Sequence, residues 1–386
     1  MTSTTTRSYT AYNFLRWVMA GLVAANHGRD MLFLNSTEVP NLSLPWRAIY
    51  FLTGFGHTAV VVFFVLSGFF VGGKLLEPGG LEPERLRQYY LDRFCRIYIV
   101  LVPALLLTAM LDNVGATFAP IYETTGWSSS WAMPLSHSNT VINFLASLTN
   151  LTMVFGGTFG SDGPLWSLAY EWLIYLLAPL LFLGSGILAP RNLSPAFFAR
   201  VAVVLALIVF VPGLAGLFGI WLLGMVARWS QDRGILGKGN LAWTAAVAGL
   251  FLGVMVLDRF NRIGLWGDEV LGLSCAVLCA LPALQRINFA KRVNDELAGF
   301  SYSLYVTHFP IILFCLGLLQ SQGKMLTRLQ PSLSAGLLYA GVLAVAVGTA
   351  YLFSLVTEAN TNRVRRIIRS RVALLMGTLG PGRQAS

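Results

Sequence analysis

The chain has 386 residues, of which 55% are hydrophobic and only 11% are charged. This composition excludes an ordinary soluble domain and indicates an integral membrane protein. The net charge of +10 does not indicate a nucleic-acid partner, because the basic residues stand between and after apolar runs, where the positive-inside rule puts them. The four cysteines lie within or beside those runs without metal-ligand spacing, so we expect no metal site.

The first apolar run, residues 12–34, carries an arginine and a histidine. Arg16 and His27 are eleven residues apart, so in a helix both side chains point the same way, about 16 Å apart along the axis. A cation near the middle of a spanning helix costs roughly 3 kcal/mol, so such a residue usually faces a wet cavity or a partner. The alternative is structural: Arg16 reaches the head groups, and His27 hydrogen-bonds another helix.

Ten further apolar runs follow: 47–72, 91–111, 140–156, 164–186, 197–213, 214–229, 241–257, 268–285, 299–319 and 334–357. The run at 140–156 is short and spotted with asparagine, serine and threonine, so we expect it to dip into the membrane without crossing it. The sequence therefore predicts an all-α, polytopic bundle of about ten spans plus one short re-entrant or partial helix.

The basic residues indicate the topology. With ten spans and a cytosolic N-terminus, most of the 27 lysines and arginines lie inside, whereas an eleventh crossing at 140–156 would put most of them outside. One alternative keeps the number even: 140–156 crosses, and 197–229 forms a single span broken at Pro212. Both versions place the N- and C-termini in the cytosol.

We divide the chain into a disordered N-terminus (1–11), a membrane domain (12–358) and a basic cytosolic tail (359–386). The tail begins with a short basic amphipathic segment, residues 361–371, which we expect to anchor to lipid head groups of the bilayer.

The third run begins with two arginines. Arg93 and Arg96 are three residues apart, hence on one helical face, at the predicted cytosolic mouth of a span. Two guanidinium groups held in this way suit bidentate capture of phosphates, and Lys74 on the preceding loop enlarges the patch. Alternatively, the arginines are ordinary positive-inside anchors.

The predicted outer stretch 112–139 has no lysine or arginine but carries several aromatic residues, Trp127 among them. A loop of this kind suits stacking on sugars. An aromatic belt at the membrane interface is the competing interpretation.

Several short motifs follow one another along the chain in one order: Arg16 and His27, VVVFFVLSGF at 60–69, Arg93-x-x-Arg96, WSLAYE at 166–171 with Tyr175 and Pro179, and SYSLYVTH at 301–308. In these motifs the chain resembles acyltransferase family 3. This family comprises membrane proteins that move acyl groups from acyl-coenzyme A onto hydroxyls of extracytoplasmic glycans or related acceptors. The resemblance covers roughly residues 10–358.

Acyl transfer to a hydroxyl needs a base, donors for the developing oxyanion and a grip on the carrier. We expect His27 to be the base, since imidazole titrates near neutral pH. Glu171 is expected to pair with a histidine or an arginine, and Asp30 competes for the role of orienting His27. Arg16 is expected to contact the pantetheine arm or to stabilise charge on the thioester carbonyl. Contacts with the acceptor are expected from Trp166, Tyr305, His308, His57 and Trp127.

The resemblance thus implies a multi-pass O-acyltransferase of the inner (plasma) membrane that uses acyl-coenzyme A, with acetyl-coenzyme A favoured, and a carbohydrate or glycolipid acceptor. Arg93 and Arg96 would hold the coenzyme while His27 activates the acceptor, and a covalent acyl-histidine relay stays open. The alternative function is a proton-coupled transporter or glycan exporter with a relay of ionisable groups, namely Arg16, His27, Glu171 and His308. The acyl group, the acceptor and the oligomeric state stay open at this point.

Overall fold

A computed structural model describes residues 8–76, 82–182, 195–237 and 239–378. Within these ranges the chain is helical and contains no strand, apart from one isolated bridge between Phe33 and Leu329. Of the N-terminus that was predicted to be disordered, residues 1–7 fall outside this description. The first helix begins at Thr10, slightly before the predicted domain boundary, because Thr10 Oγ1 donates to Asn288 Oδ1 and ties the start of the chain to the bundle.

The described part of the chain forms these α-helices: α1 Thr10–Leu32, α2 Leu44–Leu52, α3 Gly56–Phe70, α4 Pro83–Ala116, α5 Leu135–Ser138, α6 Val141–Thr149, α7 Leu165–Phe182, α8 Pro195–Phe210, α9 Leu214–Asp232, α10 Leu241–Arg259, α11 Gly267–Ala280, α12 Lys291–Gly299, α13 Ser301–Ser321, α14 Leu333–Val356 and α15 Thr361–Thr378. A short 3-10 turn, Glu358–Asn360, joins the last two helices.

Five described segments are long and apolar enough to cross a bilayer: Leu44–Leu76, Pro83–Ala116, Leu241–Arg259, Ser301–Ser321 and Leu333–Val372. Two shorter apolar helices are Leu165–Leu181 and Pro195–Phe210. Helix α1 is not among the five, although its middle is apolar, because polar residues including Arg16 and His27 interrupt it. The chain is therefore an all-helical membrane protein, and the number of ten spans stays a prediction.

One end of the bundle, called the basic end below, is where α1, α4 and α13 begin and α3, α9 and α14 terminate. Asn13 Nδ2 donates to Asp295 Oδ1 (2.8 Å), which ties α1 to α12. Arg369 Nη2 donates to Asp92 Oδ1 (2.8 Å), which packs the basic helix α15 against α4. The positive-inside rule assigns this end to the cytosol, and this orientation stays a prediction.

Helix α6 has nine residues, which is about 13.5 Å of helix and less than half of the roughly 30 Å hydrocarbon layer. After α6 the chain turns back to the end at which this helix begins, as the hydrogen bond from Gly160 N to Ser138 O (3.2 Å) shows. This is the arrangement expected of a partial helix that does not cross. Residues 197–229 contain two helices, α8 and α9, which meet in a turn at Gly213, where φ is +79°. Whether they form one span broken at Pro212 or two spans stays a prediction.

Helices α3 and α9 approach so closely that only glycine fits at two positions. A Cβ on Gly68 would lie 1.9 Å from Trp221 O, and a Cβ on Gly224 would lie 2.0 Å from Val65 O. Small residues are the usual means of such close packing between membrane helices. The contact also fixes Ser67, whose Oγ lies 2.9 Å from the Tyr175 hydroxyl of α7.

Candidate active site

A cavity of about 430 Å³ lies at the basic end, among helices α1, α3, α4, α7 and α13. Its volume falls in the usual range of small-molecule sites, roughly 300–1,000 Å³. The charged residues that line it are Arg16, Arg93, Arg96, Glu171, Asp295 and Glu358, and the polar uncharged ones include Ser67, Ser167, Tyr175, Tyr302 and Tyr305. The structure therefore brings together five of the predicted site residues from four different helices, namely Arg16, Arg93, Arg96, Glu171 and Tyr305.

Arg16 faces this cavity instead of reaching out to the head groups. Its guanidinium group has no hydrogen bond or ion pair with the described residues. One turn earlier on α1, Asn13 is bound to Asp295, and the pKa of Asp295 lies below its ordinary value because Lys291 and Asn13 both donate to its carboxylate. The charge of Arg16 is thus available to a ligand, whereas Asp295 is already engaged.

The two arginines of α4 have different environments. Arg96 Nη2 lies 2.6 Å from Glu358 Oε1, and Glu358 is only 4% exposed. The other oxygen of Glu358 accepts from the backbone N–H and the hydroxyl of Ser303, both at 2.9 Å. Arg93 has no such partner among the described residues; its guanidinium lies 5.7 Å from the ring centre of Tyr175. Arg96 is therefore held in one orientation, and Arg93 is not.

Glu358 is a site residue that the sequence reasoning missed. The available signal was a glutamate directly after the last long apolar run, where an acidic side chain has little reason to be buried unless it meets a cation. Its partner, Arg96, is more than half the chain away, so the sequence alone did not connect the two.

Glu171 lines the cavity but does not pair with a histidine or an arginine, as the sequence suggested. Its Oε1 accepts from the hydroxyl of Tyr175 (2.5 Å), one helical turn further along α7. Residues four apart on a helix are neighbours, so this local partner competes with any on another helix. The hydroxyl of Tyr175 in turn meets Ser67, which links α7 to α3.

His27 pairs with another histidine. His308 Nδ1 lies 3.0 Å from Leu304 O and 2.8 Å from Tyr305 O. Carbonyl oxygens only accept, so in the neutral ring Nδ1 of His308 carries the proton and Nε2 is the acceptor. His27 Nδ1 lies 2.9 Å from His308 Nε2 and must therefore donate to it. This network assigns the unprotonated, basic nitrogen of His27 to Nε2.

The histidine pair adjoins the cavity through Tyr305. The ring of Tyr305 lines the cavity, and its centre is 6.1 Å from that of His308. Its hydroxyl bonds to Ser167 Oγ (2.5 Å) and donates to Pro164 O (2.9 Å). His27 does not itself line the cavity. His308, expected to contact the acceptor, is fully buried and is hydrogen-bonded to His27.

The segment between α4 and α5 (residues 117–134), called the lid below, covers the C-terminal end of α1, where Asp30 lies, and carries Trp127. Asp30 Oδ2 accepts from Ser130 N (2.7 Å) and from the hydroxyl of Ser129 (2.9 Å), so the carboxylate binds the lid and has no hydrogen bond to His27. Trp127 is 8% exposed and donates its indole N–H to Met31 O (2.8 Å). Neither sugar stacking nor an interfacial belt describes Trp127, because the loop folds back and buries the ring.

Three more predicted residues lie away from the cavity. His57 Nε2 is 2.8 Å from Asp268 Oδ1 at the opposite end of the bundle, where the histidine side chain is 64% exposed. Trp166 packs edge-on against Tyr170. Lys74 lines a second pocket at the basic end.

A family model described as an acyltransferase domain matches residues 9–355. The chain belongs to acyltransferase family 3. The match runs from the residue before α1 almost to the end of α14, so it includes the arginines of the cavity and the histidine pair, while Glu358 lies just beyond it. The family assignment drawn from the motifs is confirmed, and it supports acyltransferase activity in a membrane protein. No curated protein and no solved structure matches the chain.

Proposed function

We propose that this family member transfers an acyl group, with acetyl favoured, from cytosolic acyl-coenzyme A to a hydroxyl of an extracytoplasmic carbohydrate or glycolipid at the inner (plasma) membrane. One observation carries the proposal: Tyr305 connects a cavity that three arginines line to a histidine pair in which Nε2 of His27 is the basic nitrogen. A base near a binding site that supplies arginines is what transfer from a charged carrier to a hydroxyl requires.

The donor enters the cavity from the basic end in this proposal, and Arg93 and Arg96 hold the coenzyme. Arg16 lies about 16 Å along α1 from His27, since eleven residues rise 1.5 Å each. That distance is too long for both residues to act at one carbonyl carbon. Of the two roles expected for Arg16, contact with the pantetheine arm therefore fits the geometry, and stabilisation of the thioester carbonyl does not.

The acceptor hydroxyl loses its proton to His27 Nε2, and its oxygen attacks the thioester carbonyl carbon. A C–O bond forms, the C–S bond breaks, and the proton passes from His27 to the departing thiolate. His308 is a positioning residue: its Nε2 accepts from His27 Nδ1 both before and after His27 takes up the proton. A base oriented by a third group in this way is the general design of activated acyl-transfer sites.

The covalent variant uses the same nitrogen of His27 as a nucleophile. It predicts a burst of free coenzyme A, equal in amount to the enzyme, when the donor is mixed with the protein in the absence of acceptor. Direct transfer predicts no burst.

The test compares surface glycans by mass spectrometry in cells that lack the gene and in cells that carry wild-type protein, His27→Gln or His137→Gln. His137 is exposed on the outer loop, so it is a matched control for the same substitution. Wild type and His137→Gln should restore O-acyl groups, and His27→Gln should not. Acceptor export that needs no acyl-coenzyme A would overturn the proposal in favour of a transporter.

A further inference from the structure

A second pocket of about 430 Å³ adjoins the cavity at the basic end. The two spaces share Asn13, Arg16 and Phe70. The second pocket is otherwise lined by Tyr9, Phe69, Gly73, Lys74 and Arg228. Because three residues border both spaces, the pocket and the cavity are adjacent, as one elongated ligand that spans them requires.

The two spaces differ in charge. The described residues that line the second pocket include three cations, Arg16, Lys74 and Arg228, and no carboxylate. The cavity has as many carboxylates as arginines in its lining, whereas Asp232, the carboxylate that pairs with Arg228, does not line the second pocket. Phosphate groups are therefore better accommodated in the second pocket, where no lining carboxylate repels them.

Aromatic rings form one wall of the second pocket. Tyr9 meets Phe70 edge-on with ring centres 5.6 Å apart, and Phe69 stacks on Tyr12 at 4.9 Å. Such a packed cluster offers a rigid apolar face to a planar heterocycle, and base–aromatic stacking is worth about 1–3 kcal/mol.

Arg228 is held against this wall. Its guanidinium lies 5.5 Å from the ring centre of Phe69, and its Nε donates to Asp232 Oδ2 (2.7 Å). Gly73 permits this placement, since a Cβ there would lie 2.4 Å from Arg228 Cγ. The arginine thus has a defined plane beside the pocket, which suits forked binding of a phosphate.

Coenzyme A has two chemically different halves, a phosphorylated adenosine nucleotide and a thin, uncharged pantetheine arm. We propose that the second pocket binds the nucleotide half, with Lys74 and Arg228 on the phosphates and Tyr9 and Phe70 against the adenine. The arm then passes Arg16 into the cavity, where Arg93 and Arg96 contact it. The identity of the ligand rests on the proposed function, and the division between the two spaces rests on their charges and their shared wall.

The experiment uses the two halves separately on purified full-length protein. Adenosine 3′,5′-bisphosphate is the probe for the nucleotide, and its affinity is measured by calorimetry. Acetyl-pantetheine is the donor without the nucleotide. Lys74→Gln and Arg228→Gln should each weaken bisphosphate binding and raise the KM for acetyl-coenzyme A about tenfold, since each removes one charge-assisted contact with phosphate. The KM for acetyl-pantetheine should not change.

Two further variants give the comparison its controls. Arg93→Gln should raise the KM for acetyl-pantetheine and leave bisphosphate binding unchanged. Arg233→Gln removes the same charge directly after α9, but Arg233 packs over Trp229 and does not line the pocket, so none of the constants should change.

The outcomes separate this inference from the proposed function. Wild-type affinity for the bisphosphate in the Lys74 and Arg228 variants, or no bisphosphate binding by the wild type, overturns the nucleotide pocket while acyl transfer still stands. Bisphosphate binding that depends on Lys74 and Arg228, in a protein that uses neither donor, supports the pocket and overturns the proposed acyl transfer.

Discussion

Arg16 and His27 lie on one face of the same helix, yet their surroundings differ in kind. The guanidinium of Arg16 enters a cavity and has no hydrogen bond to the described residues. Around His27, the ring is held by His308, which is held in turn by two backbone carbonyls of α13. The described residues supply no hydrogen-bond partner for the side chain of Arg16, so a ligand can supply one. For His27, the protein itself supplies the partner.

The contrast matches two different tasks. A side chain that binds the donor contributes most to affinity when it has no partner in the protein, because such a partner would have to be displaced first. A side chain that transfers a proton contributes most to the rate when its orientation is fixed before the substrate binds, because no reorganisation is then needed during the reaction. Under the proposed function, the two ends of α1 therefore divide donor binding from proton transfer.

The largest effect should come from the histidine pair. His27→Gln keeps the ability to donate and accept hydrogen bonds but cannot take a proton, so kcat should fall roughly 10²–10⁴-fold while donor affinity stays at the wild-type level. His308→Gln should lower kcat less, because an amide oxygen can still accept from His27 Nδ1. Steady-state acyl transfer by purified, monodisperse protein measures both.

An unchanged kcat in His27→Gln, with normal donor binding, would mean that His27 is structural. The assignment of donor binding to one end of α1 and of proton transfer to the other would then be wrong.

A smaller effect should distinguish the two arginines of α4. Arg93→Lys should raise the KM for acyl-coenzyme A about tenfold without loss of stability, because lysine lacks the fork and Arg93 has no carboxylate partner among the described residues. Arg96→Lys should raise the same KM and also destabilise the fold by about 1–3 kcal/mol, since it disturbs the buried carboxylate of Glu358. Donor kinetics and thermal unfolding in detergent separate the two responses. If both variants keep the wild-type KM and the wild-type stability, the two arginines serve only as positive-inside anchors.

The smallest effect should follow from Asp30→Asn. The carboxylate accepts two hydrogen bonds from the lid and has none to His27, so the change should cost about 1 kcal/mol of stability and alter kcat less than about threefold. Unfolding and turnover are measured on the same preparation. A large loss of turnover at unchanged stability would restore Asp30 as the group that orients the base.

Residue spacing within one helix was a dependable guide. The shared face of Arg16 and His27, the paired arginines of α4 and the shortness of α6 all depend on helical geometry or on local composition, and each can be read from a few consecutive turns. The choice of partners was not predictable in this way. Glu171 was expected to meet a distant cation or histidine and instead meets Tyr175 on its own helix.

The sequence by itself determined the membrane class and the family, because composition, periodicity and motif order are properties of the chain. Only the tertiary structure decided which distant residues meet. His27 and His308 are 281 positions apart, and Asp30 and Ser130 are 100 apart, so each contact depends on how distant helices and loops pack. An unpaired buried charge is costly, and for groups such as Glu358 the packing of distant helices decides which partner offsets that cost, here Arg96.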